Sequence, residues 1–202
     1  DILGLNSTIS SILEFLNLAE LGIGAAVAYT LYTPLREKDN QQINEIISIQ
    51  GWLYKRIGFI VLFFFLILLP FFPLIFEKND LPLWYPYSTF LVLLTSTILS
   101  YNISYKQILL SADQQEYKIQ LTYKLSRLIK IAIQIIAIKF FSWGYISWLI
   151  IELIFAFISC LLVNKAVYKS FPFLKIDTKN IKVLLKKHPS IKTKTSQIFF
   201  HK

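Results

Sequence analysis

The chain has little of what soluble enzymes and metalloproteins are built from. Its one cysteine, Cys160, lies inside an apolar run, so neither a disulfide framework nor a thiolate metal cluster is available. The two histidines, His188 and His201, sit in a lysine-rich tail with no carboxylate or cysteine beside them in sequence. There is no glycine-rich phosphate loop, no H-E-x-x-H and no cluster of carboxylates in a loop. No enzyme chemistry, metal or cofactor is therefore expected, and any transport would draw on a gradient or an external partner rather than on an ATP motor. Methionine is absent throughout, and residue 1 opens almost directly into an apolar stretch. The expectation is a piece of a longer protein.

What the chain does contain is apolar length. It is 55% hydrophobic with a mean hydropathy of +0.54. The apolar stretches run at about 3–33, 57–76, 86–110, 119–141 and 143–164. A helix that crosses a bilayer needs roughly 20 mostly apolar residues, and all five stretches reach that length. The predicted class is all-α, a polytopic transmembrane helical bundle over residues 1–168, followed by a basic amphipathic segment over 169–202.

The charges fall on one side of these stretches. Arg36, Lys38, Lys55 and Arg56 lie in the first connection. Lys106, Lys118, Lys124, Arg127 and Lys130 lie in or beside the third, and ten lysines follow from Lys165 onward. The other face has only Lys78 and Lys139. An excess of Lys and Arg marks the cytoplasmic side, which predicts residues 34–56 and 165–202 inside and 77–85 outside. The +9 net charge is thus spread over span ends, where it orients the chain and attracts anionic membrane lipids. It does not point to nucleic acid.

Local signals refine the spans. The first is expected to stop at Tyr32-Thr33-Pro34. Residues 40–50 set Ile43, Ile46, Ile47 and Ile49 against Gln41, Asn44, Glu45 and Gln50, which predicts a short amphipathic helix lying at the cytoplasmic interface. Pro70 and Pro73 should kink or end the second span. Trp84, Tyr85 and Tyr87, and then Phe140, Phe141, Trp143 and Tyr145, form two aromatic belts at the outer interface. The third span is polar, with Thr95, Ser96, Thr97, Ser100, Asn102 and Ser104. That pattern suits close helix packing or the lining of a wet cavity. The tail, with Ile181, Val183, Leu184 and Leu185 between lysines, is expected to lie on anionic lipid.

Ionisable groups within spans cost about 2.5–3.5 kcal/mol each on insertion scales and so mark protein interiors or wet cavities. In the first span Asn6, Ser10, Asn17, Glu20, Gly24 and Ala28 share one stripe, with Glu14 at its margin. This is either a packed helix contact or a set of carboxylates available to a coupling H⁺ or Na⁺. In the fourth, Gln120, Lys124, Arg127, Lys130 and Gln134 keep to one side. Snorkelling accounts for Lys124 well and for Lys130 poorly. A buried basic stripe is what a phosphate-bearing headgroup would need, which makes Arg127, Lys130, Lys124, Gln134 and Asn17 the candidate substrate contacts. Glu152 in the fifth span, in register with Tyr145, Ala156 and Ser159, is either their counter-ion or a third titratable site beside Glu14 and Glu20.

Two stretches carry a resemblance. LGLNSTISSILEFLNLAELGIGAAVAYTLYTPLREKDNQQIN (3–44), above all LAELGIGAA and YTPLREKD, and SYKQILLSADQQEY (104–117) are similar to segments of bacterial polysaccharide flippases. These belong to the polysaccharide-transport branch of the multidrug/oligosaccharidyl-lipid/polysaccharide exporter superfamily. The resemblance implies helices two to six of the first lobe of a two-lobe exporter, without helix one or the second lobe. It further implies a multi-pass protein of the bacterial inner membrane that flips undecaprenyl-diphosphate-linked oligosaccharide, working near polysaccharide polymerase machinery. Multidrug and lipid-precursor exporters of the same superfamily are the neighbouring alternatives. An integral membrane enzyme of polysaccharide assembly is a further one, but the outer loops offer it little beyond Glu77 and Asp80.

Overall fold

The computed structural model describes residues 4, 7–11, 23–76, 82–140 and 144–189. Among these residues every regular element is helical: α1 (Ile23–Glu37), α2 (Asn40–Leu68), a 3₁₀ turn (Leu69–Phe71), α3 (Phe72–Ile75), α4 (Trp84–Ala112), α5 (Glu116–Phe140), α6 (Gly144–Ser170) and α7 (Ile181–Lys187). Over the described residues the fold is all-α, as the long apolar stretches predict. At 1.5 Å per residue α4, α5 and α6 are about 38–44 Å long, more than the ~30 Å hydrocarbon core of a bilayer. Two helical segments, Asn40–Ile75 and Gly144–Ser170, are both long and apolar enough to cross a membrane. Only 17% and 11% of their apolar stretches is buried, whereas the core helix of a soluble protein would be mostly covered.

Helix ends explain the first departures from the sequence reading. Pro34 does not stop α1, which continues to Glu37 with the proline inside it. The helix stops one turn later, where Lys38 takes a left-handed conformation (φ 58°). There Asp39 N–H bonds the Pro34 carbonyl at 2.9 Å and Lys38 N–H the Leu35 carbonyl at 3.3 Å. This is a Schellman closure. Asp39 then caps α2 by accepting from the Gln42 N–H at 2.9 Å. The same closure ends α4: Gln114 has φ 58°, with Gln115 N–H on the Leu110 carbonyl at 2.8 Å and Gln114 N–H on the Ser111 carbonyl at 3.1 Å. Pro70 lies in the 3₁₀ turn where α2 gives out, and Pro73 lies at the start of α3.

The predicted separate interfacial helix over residues 39–50 is absent, because α2 runs unbroken from Asn40 to Leu68. Its first turns form a stem whose apolar side is covered by protein. Ile43, Ile46, Ile47 and Ile49 are fully buried, and Phe171 and Leu174 of the tail belong to the same core, with Leu184 and Leu185 packed against it. Polar contacts fix the pairing. Asn44 donates to the Phe173 carbonyl at 3.4 Å and accepts from Lys175 N–H at 3.0 Å, and Ser48 Oγ accepts from Asp177 N–H at 3.0 Å. The start of the tail is therefore folded against α2 rather than free on a surface. Gly51 sits where α2 meets α4: a Cβ there would lie 2.9 Å from the Tyr105 ring.

α6 packs against both α4 and α5, α4 also packs against α1 and α2, and α2 takes α7 on its stem. At the other end Phe65 and Phe72 meet Phe90 edge to face at 4.9 and 4.7 Å. Tyr85 lies 5.0 Å from Tyr145, joining the two aromatic belts across α4 and α6. The outward faces are apolar. Phe59, Phe63, Phe64 and Leu66 of α2, Leu128, Ile135 and Ile136 of α5, and Ile150, Ile154 and Leu161 of α6 are exposed.

Candidate functional site

Three stripes with spacings of three and four residues converge between α4, α5 and α6. They are Ser96, Ser100 and Ile103 of α4, Tyr123, Ser126, Arg127 and Lys130 of α5, and Glu152, Phe155, Ala156, Ser159 and Cys160 of α6. Side chains three and four apart on a helix share a face, so each helix contributes one continuous wall. The walls enclose an open-mouthed cavity of about 290 Å³.

Charge within it is unevenly matched. Lys130 Nζ donates to Glu152 Oε1 at 2.6 Å, and Gln134 Nε2 donates to Glu152 Oε2 at 3.0 Å. Both carboxylate oxygens are thus occupied, and the pair is largely shielded, at 22% and 16% side-chain exposure. Gln134, itself buried, also reaches the Trp148 carbonyl at 3.4 Å. Arg127 lines the same cavity, is exposed, and makes no ion pair among the described residues. Arg127, Lys130 and Glu152 together leave one net positive charge, on a guanidinium whose planar fork suits phosphate oxygens. The α4 hydroxyls are satisfied within their own helix: Ser96 Oγ donates to the Val92 carbonyl at 3.0 Å and Ser100 Oγ to the Thr97 carbonyl at 2.7 Å. Their oxygens keep acceptor capacity towards the cavity.

The structure sorts the candidate residues read from the sequence. Arg127, Lys130 and Glu152 meet in one cavity, and Gln134 braces it from one turn away. Lys124 is exposed and does not line it. Asn17, Glu20 and Glu14 lie outside the described residues. Of the two roles left open for Glu152, the counter-ion geometry is the one present. Ala156 and Ser159, in register with it, line the same wall, while Tyr145 belongs to the aromatic contact with Tyr85. Asn164 was not anticipated: it accepts from Lys106 Nζ at 2.8 Å, with the ammonium 5.0 Å from the Tyr168 ring. Lys118 likewise bonds Ser170 Oγ at 2.9 Å, so basic side chains tie α6 to its neighbours below the cavity as well. A polar residue within an apolar helix was the available signal for Asn164, but nothing in sequence links it to Lys106, 58 residues earlier.

A second polar cluster holds the tail. Glu45 of the stem accepts from Lys187 Nζ at 2.7 Å, from His188 Nε2 at 2.8 Å and from Gln41 Nε2 at 3.2 Å. Burial alone would raise the Glu45 pKa. The hydrogen bonds from Lys187, His188 and Gln41, with the Lys187 charge, outweigh it and bring the carboxyl down from 4.5 to about 2. His188, without an acidic neighbour in sequence, has one in space.

No protein-family model, curated protein or solved structure matches this chain. Among the described residues no group of His, Cys, Asp and Glu could hold a metal ion.

Proposed function

We propose that this chain is part of a multi-pass bacterial inner-membrane transporter that moves a lipid-linked oligosaccharide, carried on a diphosphate, between leaflets. The observation that carries this reading is the Arg127 cavity, an open, hydroxyl-lined space with one cation that makes no ion pair among the described residues, walled by three helices of bilayer length. The exposed apolar faces of α2, α5 and α6 support the membrane setting, since soluble monomers seldom expose apolar patches beyond about 300–600 Å². α4 and α5 are more polar than the other two spans. In this reading they cross the bilayer with their polar sides turned to α6 and to each other, as membrane-embedded charge requires.

A diphosphate headgroup crossing a low-dielectric core needs fixed positive charge in place of its water. Arg127 supplies it. Lys130 is held by Glu152 and becomes a second contact only when that pair opens. Glu152 therefore sets how much positive charge the cavity presents, and Gln134 keeps the carboxylate in place while it does so. The N-terminal carboxylates Glu14 and Glu20 remain proposed ion-coupling groups on the strength of their stripe alone.

The test is surface polysaccharide export by the full-length protein in its host. Arg127→Ala is expected to lower export about tenfold or more, the scale of one lost charge-assisted contact, with the protein still abundant in the membrane. Arg127→Lys should recover part of it. Normal export by an abundant Arg127→Ala variant would rule out this cavity as the substrate path.

A further inference from the structure

A second groove, unconnected with the Arg127 cavity, runs along the opposite side of α4, between it and α2. Tyr54, Lys55, Gly58, Phe59 and Leu62 of α2 and Ile98, Tyr101 and Asn102 of α4 line it, enclosing about 460 Å³. That volume is within the roughly 300–1,000 Å³ of small-molecule sites. From Tyr54 to Leu62 the groove follows α2 for about 12 Å.

Its two ends differ in chemistry. At the end nearer the start of α2 stand the Lys55 ammonium, the Tyr54 and Tyr101 rings 6.2 Å apart, and the Asn102 amide. At the deeper end the walls are Phe59, Leu62 and Ile98. Lys55 is exposed and makes no ion pair among the described residues. Its neighbour Arg56 is drawn off to Trp52, 4.2 Å from the ring centre. Gly58 lies midway, and a Cβ there would meet nothing within 4 Å. The missing side chain is what keeps the groove continuous from its polar end to its apolar end.

We infer that this groove is a binding site for one anionic glycerophospholipid of the cytoplasmic leaflet. The phosphodiester pairs with Lys55, and an acyl chain lies over Gly58 along Phe59, Leu62 and Ile98. The polarity of the groove matches the polarity of such a lipid in that leaflet. Lys55 falls at the depth where the apolar part of α2 begins, which is the depth of the phosphates. Charge complementarity selects an anionic over a zwitterionic headgroup, because a zwitterion brings its own ammonium to the position Lys55 holds. The inference rests on the membrane setting but not on transport. It concerns residues that the proposed substrate path does not use, so either can fail without the other.

The full chain is reconstituted in vesicles of phosphatidylglycerol and phosphatidylcholine, extracted in mild detergent and weighed intact by native mass spectrometry. Wild type is expected to retain one phosphatidylglycerol in preference to phosphatidylcholine. Lys55→Ala should lower that retention about fivefold, the scale of one basic residue at an anionic surface. Gly58→Leu, which fills the groove, should lower retention at least as much without altering charge. Lys182→Ala, an exposed lysine elsewhere, should leave it unchanged. Should Gly58→Leu fail to give monodisperse protein, Lys55→Glu takes its place, since an exposed side chain can be reversed without disturbing packing. Three results would each overturn the inference. One is equal retention of both lipids. Another is undiminished retention in Gly58→Leu or Lys55→Glu. The third is a loss in Lys182→Ala as large as in Lys55→Ala, which would mean diffuse attraction only.

Discussion

At the scale of single residues, the arrangement around Glu152 is the most exacting in the molecule. A carboxylate within a span is tolerable when both oxygens are occupied, and Lys130 and Gln134 occupy them. Removing one partner leaves the other's charge unmatched, which in a buried pair costs about 3–5 kcal/mol, whereas removing both can be nearly neutral. Glu152→Ala and Lys130→Ala are each expected to lower the thermal stability of the purified protein, and the double variant should regain most of the loss. A double-mutant cycle with a coupling below about 0.5 kcal/mol would mean the pair is ornamental. Glu152 and Lys130 were both legible as costly charges, and so was Arg127. Their association was not, because a helical stripe shows which residues share a face but not which neighbour that face meets.

At the scale of elements, the helices were legible and their ends less so. Apolar length located α4 and α5 to within a few residues, but the stretch 57–76 begins 17 residues into α2, and α6 runs six residues past 164. Proline misled at residue 34: it removes the helix bond to the Thr30 carbonyl, yet α1 continues for one more turn. The true ends are the left-handed residues Lys38 and Gln114, where a sequence reading looks for glycine. Both fall within two stretches of the sequence, YTPLREKD and SYKQILLSADQQEY, which spell out one kind of helix closure twice. A non-glycine residue in the left-handed region costs about 1–2 kcal/mol, and glycine loses about 0.5–1 kcal/mol to its greater freedom when unfolded. Gln114→Gly is therefore expected to raise stability by up to about 1 kcal/mol, read as a higher melting temperature. A fall would show that the Gln114 side chain contributes more than its backbone strain costs.

At the scale of the whole molecule, the stem and tail changed the picture most. The amphipathic pattern of residues 40–50 and the lysine-rich tail each matched a lipid surface, and the structure sets their apolar sides against each other. The Glu45 contacts to Lys187 and His188 span 142 and 143 residues, a separation that no periodicity encodes. The Glu45 carboxyl titrates lower in the folded chain than in the unfolded one, at about 2 against 4.5. Its contribution to docking is thus complete above pH 4.5 and is lost as the pH falls towards 2. Proteolysis of the tail should quicken across that interval in wild type. Glu45→Gln should show fast cleavage at neutral pH and little further change on acidification. Equal cleavage of both proteins at neutral pH would mean the docking depends on the apolar contacts alone.

The pairing of Lys130 with Glu152 also bears on how the chain is made. α5 bears Arg127 and Lys130 well inside its length, and on its own it would enter a bilayer against a charge cost of several kcal/mol. Its counter-charge lies 22 residues further on, in a helix the ribosome has yet to finish. In the proposed membrane setting, α5 is therefore expected to insert poorly alone and to enter the lipid together with α6 as one hairpin.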